Sequence, residues 1–118
     1  MKIENCDGAE ESLEEILKKI PNSGVRQQRK SWLKKAFERY VSGERMAKGT
    51  VEDEGKLPNG KKFLAMKRIP IRAYFWVSDS IPSTIFISHY IYKKNKKLHS
   101  ADSNKVCRNW KKYERGVK

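Results

Sequence analysis

The segment that decides the fold is Thr84-Ile85-Phe86-Ile87-Ser88-His89-Tyr90-Ile91-Tyr92, a run of mostly apolar and aromatic residues. Such a run predicts a buried, central strand. It continues directly into Lys93-Lys94-Asn95-Lys96-Lys97, so the predicted strand delivers a group of cations to one edge of the domain. Cations spaced this closely suit a ligand made of closely spaced phosphates.

The length and net charge of the chain limit the kinds of molecule that it can bind. The chain has 118 residues, which predicts one domain, 1–118, with a single modest core. Lys and Arg number 27 against 14 Asp and Glu, so the net charge is +13. A charge this high favours anionic partners, of which nucleic acid is the commonest for a basic domain. Because no stretch approaches the roughly 20 apolar residues of a transmembrane helix, and the start lacks a signal-peptide core, we expect a cytoplasmic protein with no membrane partner.

Alternating and helical patterns extend outward from the apolar segment. Two more strands are predicted, Lys62–Arg68 and Ile71–Val77, and a helix capped at Ser100 or Asp102 follows and ends near Arg115. The stretch 48–60 is rich in glycine and charge and predicts a loop. Residues 2–5 have the character of a short edge strand.

Apolar residues at helical spacing predict two helices before the strands, over 10–20 and 23–41, separated by a break that contains Pro21. The predicted fold class is therefore α+β: an N-terminal helical hairpin packed on one face of a small antiparallel sheet of three to four strands, with a C-terminal helix. Cations cover much of the remaining surface of the second helix: Arg26, Arg29, Lys30, Lys34 and Lys35.

Side-chain parity in the strands predicts a face with aromatic and cationic character. If the isoleucine-bearing faces of the last two strands align, five residues share one open face: Arg72, Tyr74, Trp76, Tyr90 and Tyr92. Aromatic rings interleaved with arginine hold unstacked bases and their phosphates. The alternative is that the C-terminal helix covers these aromatics, with Trp110 and Tyr113 packed on them.

These residues resemble a known family. The run Lys67-Arg68-Ile69-Pro70-Ile71-Arg72-Ala73-Tyr74-Phe75-Trp76, then the apolar strand with its lysine cluster, then a capped helix, is similar to the RelE/HigB-type toxins (RelE/ParE superfamily) of toxin–antitoxin modules. The resemblance covers roughly 61–114. It implies a compact microbial RNase-like domain and a metal-independent endoribonuclease (mRNA interferase). It also implies that the substrate is mRNA, often bound to the ribosome, and that a cognate antitoxin protein is a partner.

The resemblance also implies residue roles. A ribose 2′-OH attacks the adjacent phosphate, and packed cations stabilise the charge that develops. Arg72 matches the family's phosphate-binding arginine. His99 follows the lysine cluster and is a candidate general acid, because the ordinary pKa of histidine lies near neutrality. The catalytic candidates are thus Arg72, Lys67, Lys94, Lys97 and His99. The predicted RNA contacts are Arg68, Tyr74, Trp76, Tyr90, Tyr92, Lys93, Lys96, Arg26, Lys30 and Lys34.

Several alternatives stay open on the sequence. The run 93–97 is either a solvated turn, a phosphate-binding patch without catalysis, or part of a catalytic site. His89 is more typical of a hydrogen-bonded core histidine, and Asp102 of a helix cap. Neither the histidines nor Cys6 and Cys107 have the ligand spacing of a metal site, so we expect no metal and no cofactor. The alternative functions are a non-catalytic basic RNA- or DNA-binding module, an inactive relative, or an interaction protein with an acidic partner.

Overall fold

The computed structural model of the protein describes residues 2–68, 70–92 and 100–115. The elements in chain order are β1 (Lys2–Asn5), α1 (Ala9–Leu17), α2 (Ser23–Val41), β2 (Val51–Lys56), β3 (Lys62–Arg68), β4 (Ile71–Val77), β5 (Thr84–Tyr92) and α3 (Ser100–Trp110), with a π-helical turn at Lys111–Arg115. The fold is α+β, with one sheet between two layers of helix.

The sheet differs from the predicted one. It has five strands in the order β1-β5-β4-β3-β2, and it is mixed, because β1 runs parallel to β5 while the other pairs are antiparallel. The described chain also enters the fold through a strand and not through a helical hairpin. The predicted arrangement, a helical hairpin on an antiparallel sheet of three to four strands, is therefore wrong.

The strand that the sequence analysis missed is β2. Its residues, Val51-Glu52-Asp53-Glu54-Gly55-Lys56, carry a single aliphatic side chain, so no apolar alternation marks them as a strand. β2 lies at the edge of the sheet and pairs only with β3. Charged side chains are a common protection of edge strands, which explains why an acidic, loop-like sequence forms one here.

The main core lies between the sheet and the two N-terminal helices. α1 lies over β5, whereas α2 contacts both β3 and β1. Phe37 of α2 and Tyr40 each pack edge-on against Phe75 of β4, with ring centroids 5.2 Å apart in both pairs. α2 therefore reaches strands on both sides of β5.

A β-bulge in β5 overturns the predicted side-chain parity. Tyr74 pairs with His89 and Phe75 pairs with Ile87, so Ser88 is the extra residue. Each side chain after the bulge therefore points to the face opposite to that predicted. Tyr90 and Tyr92 join Ile85 and Ile87 in the core under α1 and α2: the buried members of that core include Ile85, Ile87, Phe75 and Tyr90, with Tyr92 packed against it.

The second face of the sheet is covered by α3 and the turn that follows it. Tyr74 and Trp76 are fully buried there, in a cluster with Phe63, Phe86 and Val106. Trp110 and Tyr113 pack against this cluster. The predicted open face of Arg72, Tyr74, Trp76, Tyr90 and Tyr92 is therefore wrong, because the bulge divides these residues between two faces and helices cover both. The alternative, that the C-terminal helix covers the aromatics, is confirmed for Tyr74 and Trp76.

Candidate active site

Three charged side chains meet at the end of the sheet where β5 finishes. Lys67 of β3 and Arg72 of β4 are register partners, so their side chains share the face that carries α3. Glu54 of β2 reaches both: its Oε1 lies 3.2 Å from Lys67 Nζ and 3.4 Å from Arg72 Nη1. We call Glu54, Lys67 and Arg72 the charged cluster.

A second β-bulge lies in β2 at Glu54. Asp53 pairs with Leu64 and Gly55 pairs with Phe63, which leaves Glu54 as the extra residue of β2. Bulges re-aim single side chains and recur beside active sites. Alternation from Glu52 already places Glu54 on the face that carries Lys67 and Arg72. The bulge brings Gly55, which pairs with Phe63, onto that same face.

The charged cluster is largely shielded from solvent. The side chains of Arg72, Glu54 and Lys67 are 7%, 9% and 14% exposed. A carboxylate in such a place remains charged only if cations compensate its lost hydration, and the two cations need it for the same reason. Oε1 of Glu54 is itself enclosed, and it accepts no hydrogen bond of regular geometry from any described residue although it lies within 3.4 Å of both cationic groups.

Glu52 extends the cluster to the surface. Its carboxylate lies 2.7 Å from Lys67 Nζ, but its side chain is 49% exposed and it does not belong to the shielded group. Lys67 is therefore shared between an outer carboxylate and an inner one. Neither glutamate was predicted as a site residue, because β2 was interpreted as a loop. The only sequence signal for them is the pair of acidic residues two positions apart, which places both on one side of a strand.

Further cations approach this sheet end from the opposite face. Arg68 lies over the Trp32 ring, with 5.3 Å from the guanidinium carbon to the ring centroid. Lys19 lies over the Tyr92 ring at 5.4 Å. Both pairs belong to the same end because Arg68 pairs with Ile71, and Ile71 pairs with Tyr92. The predicted residues Lys93, Lys94, Lys96, Lys97 and His99 follow Tyr92 along the chain and lie outside the described residues.

The predicted cations of α2 have different local roles. Arg26 donates a hydrogen bond from Nη1 to the carbonyl of Ile20 at 2.8 Å and so ties α2 to the end of the preceding turn. Lys30 forms an ion pair of 3.1 Å with Glu14 of α1. Lys34 is exposed. Of these three, only Lys34 has a side chain without a structural contact among the described residues.

His89 is buried, as predicted, but the bulge places it on the face opposite Ile85 and Ile87. It is 2% exposed. Its Nε2 donates to Asp102 Oδ1 at 3.1 Å, and its Nδ1 accepts from the Ser88 hydroxyl at 2.8 Å. Asn109 Nδ2 in turn donates to Ser88 Oγ at 2.8 Å. The sequence Ser–His–Asp is that of a nucleophilic triad, but Ser88 is fully buried, so it cannot contact a substrate.

The surroundings of His89 hold its imidazole neutral. Burial lowers its pKa below the ordinary value of 6.5, and the nearby cations Lys105 and Arg108 act in the same direction. Asp102 opposes these effects through its hydrogen bond. The neutral ring satisfies both of its partners, since Ser88 donates to one nitrogen and Asp102 accepts from the other.

This arrangement predicts a loss of stability at mildly acidic pH. The unfolded chain binds a proton at His89 below about pH 6.5, whereas the folded protein resists it, so the free energy of unfolding falls as pH drops below that value. We expect His89→Gln to be less stable than wild type at pH 7.5 but to show a flatter profile between pH 7.5 and 5. Urea unfolding at several pH values measures this. His99, the other histidine, is present in both proteins and serves as the internal control. Equal slopes for the two proteins would contradict the assignment.

The described part of the chain contains no group of three or more His, Cys, Asp or Glu placed to hold a metal ion. Within the same residues no helix is both long and apolar enough to cross a membrane. No family model, no curated protein and no solved structure matches this chain.

Proposed function

We propose that the protein is a metal-independent endoribonuclease of the toxin–antitoxin type, which cleaves mRNA bound to the ribosome in the cytoplasm and is neutralised by an antitoxin protein. The observation that supports a nuclease most directly is the carboxylate of Glu54 within 3.4 Å of two cationic groups, Lys67 Nζ and Arg72 Nη1. Cleavage by a ribose 2′-OH needs a base beside a phosphate-binding cation, and the charged cluster supplies both kinds of group.

Each member of the charged cluster has a role in this reaction. Glu54 takes the proton from the 2′-OH as the 2′-oxygen attacks the adjacent phosphorus. Arg72 and Lys67 then shift their contacts from Glu54, which has become neutral, to the non-bridging oxygens of the pentacoordinate phosphorane, whose negative charge they stabilise. The P–O5′ bond breaks, and the products are a 2′,3′-cyclic phosphate and a 5′-hydroxyl. His99 remains our predicted proton donor to the leaving oxygen.

The charge balance of the cluster favours this order of events. With Glu54 ionised, Lys67 and Arg72 are already compensated, and the cluster does not attract a phosphate strongly. Once the carboxylate is protonated, Arg72 and Lys67 both lose its compensating charge, and Lys67 keeps only the outer carboxylate of Glu52. Their interaction with the phosphate is therefore strongest in the transition state, which is the condition for catalysis as opposed to tight ground-state binding.

A second candidate function is RNA binding without cleavage. The limited exposure of Arg72 and Glu54 favours it, because a substrate must reach side chains that are 7% and 9% exposed. In that case the cluster would be a structural ion pair and the surface cations would provide affinity that falls steeply with salt.

Incubation of the purified protein with RNA separates the two candidates. A structureless RNA with EDTA present, and an mRNA bound to ribosomes in magnesium buffer, are the two substrates. We expect cleavage of at least one of them, and persistence of any cleavage of the free RNA in EDTA. The control is Arg72→Ala, for which we expect at least a hundredfold slower cleavage, the scale of a lost electrostatic stabiliser. Binding without cleavage of either substrate would support the second candidate.

A further inference from the structure

Trp32 of α2 is an aromatic residue that the core does not fully enclose. It is partly buried and packs against the main core, while its ring also lies under the guanidinium of Arg68, 5.3 Å away. Two more cations, Lys35 and Arg39, follow on the same helix and are exposed. We call Trp32, Lys35, Arg39 and Arg68 the Trp32 surface.

Two depressions border this indole. One, of about 470 Å³, is lined by Trp32 and Lys35 together with small and polar residues of the first half of α2: Gly24, Gln27, Gln28 and Ser31. The other, of about 100 Å³, is lined by Trp32 and Lys35 on the far side, with Arg39, Ala36 and Met46. Trp32 and Lys35 are thus common to both, and a ligand in either depression contacts an aromatic ring and a lysine together.

The cations of the Trp32 surface are not neutralised. Across residues 2–68, 70–92 and 100–115, neither Lys35 nor Arg39 nor Arg68 forms an ion pair, whereas Lys30 and Lys67 do. Lys34, the neighbour of Lys35, projects to the other flank of α2, where it lines the groove against α1. The positive potential on the Trp32 flank is therefore available to an anion from solution.

We propose that the Trp32 surface binds an unpaired nucleotide of single-stranded RNA, with the base stacked on Trp32 or on the Arg68 guanidinium and the phosphate held by Lys35 and Arg39. Single-stranded nucleic acid binds where aromatic rings and arginine guanidinium groups, on which bases stack, lie beside cations that contact the phosphates. The surface adjoins the charged cluster, since Arg68 follows Lys67 in β3 with about 3.8 Å between their Cα atoms. Because Lys67 and Arg68 point to opposite faces of the sheet, an RNA strand has to pass round the end of the sheet to contact both. The proposal rests on the proposed function only for the identity of the ligand, RNA.

The test uses a fluorescent single-stranded 2′-O-methyl oligoribonucleotide, which cannot be cleaved through its 2′-oxygen. Anisotropy titration at fixed salt gives Kd for wild type, Trp32→Leu, Lys35→Ala and Lys34→Ala. We expect about tenfold weaker binding for Trp32→Leu, on the scale of one lost stacking contact. Lys35→Ala should weaken binding several-fold more than Lys34→Ala. The two lysines are adjacent, exposed and of equal charge, so the comparison isolates the position from the net charge.

Each result has a definite meaning. Equal effects of the two lysine variants, together with unchanged binding by Trp32→Leu, would overturn the proposal. The proposal would also be overturned if polyglutamate displaced the RNA probe equally well from wild type and from Trp32→Leu. That result would assign this flank of α2 to an acidic protein partner. Thermal unfolding checks the fold of each variant, and if Trp32→Leu is unfolded the lysine pair decides alone. Weaker binding by Trp32→Leu together with no cleavage by wild type would retain this binding site and reject the nuclease. Unchanged binding by Trp32→Leu together with cleavage by wild type would retain the nuclease and reject this binding site.

Discussion

Replacing Glu54 by glutamine is expected to lower the rate of RNA cleavage by about two to four orders of magnitude, the usual contribution of a general base. The amide has nearly the same shape but does not take a proton from the 2′-OH. Because the substitution also removes the negative charge that compensates Lys67 and Arg72, affinity for non-cleavable RNA should stay the same or increase. A loss of rate together with a gain in affinity is not the result of general damage to the fold.

Glu52→Gln is the matched control for this variant. Glu52 lies on the same strand and pairs with the same lysine, at 2.7 Å, but its side chain is about half exposed. We expect its cleavage rate to stay within about threefold of wild type, as is usual for the loss of a surface ion pair. Single-turnover cleavage assays and anisotropy titrations measure the two quantities. Equal loss of rate in both variants, or full activity of Glu54→Gln, would contradict the role of Glu54 as the base.

Replacing Trp76 by alanine is expected to destabilise the protein by about 3–5 kcal/mol, the range for removal of a buried aromatic side chain. Trp76 is fully buried and stacks on Phe86, with ring centroids 5.3 Å apart. Its Nε1 also donates to Oε1 of Glu114 at 2.8 Å, and this carboxylate is itself buried. The variant therefore removes both packing and a donor to a buried charge.

Trp76→Phe separates these two contributions. It retains most of the packing against Phe86 but lacks the indole donor, so we expect a smaller loss, about 1–3 kcal/mol. Urea unfolding gives both values. A change below about 1 kcal/mol for Trp76→Ala would mean that this ring is not part of the core, and it would restore the predicted open aromatic face for Trp76.

Much of the element order can be predicted from the sequence, because packing against a core imposes a period on the apolar residues. The boundaries of α2, β3, β4 and β5 follow from that period and agree with the structure. β2 cannot be found in this way. It is stabilised by backbone pairing with β3 and by ion pairs such as Lys62 with Asp53, and neither leaves a hydrophobic pattern in the sequence.

The arrangement of side chains about the sheet is less predictable than its strands. One inserted residue reverses a strand's two faces, and nothing in Ser88 as a residue type marks it as that insertion. The contacts that stabilise the bulge at Ser88 form only in the folded protein. Ser88 hydrogen-bonds to His89 and Asn109, and the Tyr90 N–H donates to Ser12 of α1 at 2.9 Å. Apart from His89, these partners are distant in sequence, so no local sequence pattern predicts the contacts.

The residues of the candidate site likewise differ in how well the sequence predicts them. Lys67 and Arg72 stand out in the sequence because they flank a strand turn among apolar residues. Glu54 does not, because its contacts depend on an edge strand and a register that only the folded sheet defines. When the residues of a site come together only through long-range strand pairing, a single sequence predicts only those with a distinctive local pattern. Here these are Lys67 and Arg72.

The chemistry at the 3′ end of the RNA product distinguishes attack by the ribose 2′-OH from other routes of cleavage. Wild-type protein and Glu54→Gln are each incubated with an end-labelled RNA, free or ribosome-bound, and the fragments are analysed with and without a single 2′-deoxy substitution at the mapped cleavage site. We expect a 2′,3′-cyclic phosphate from wild type, at least about a hundredfold less product from Glu54→Gln, and no cleavage at the 2′-deoxy position. Fragments with a 3′-hydroxyl, or cleavage that persists at the 2′-deoxy position, would contradict attack by the ribose 2′-OH.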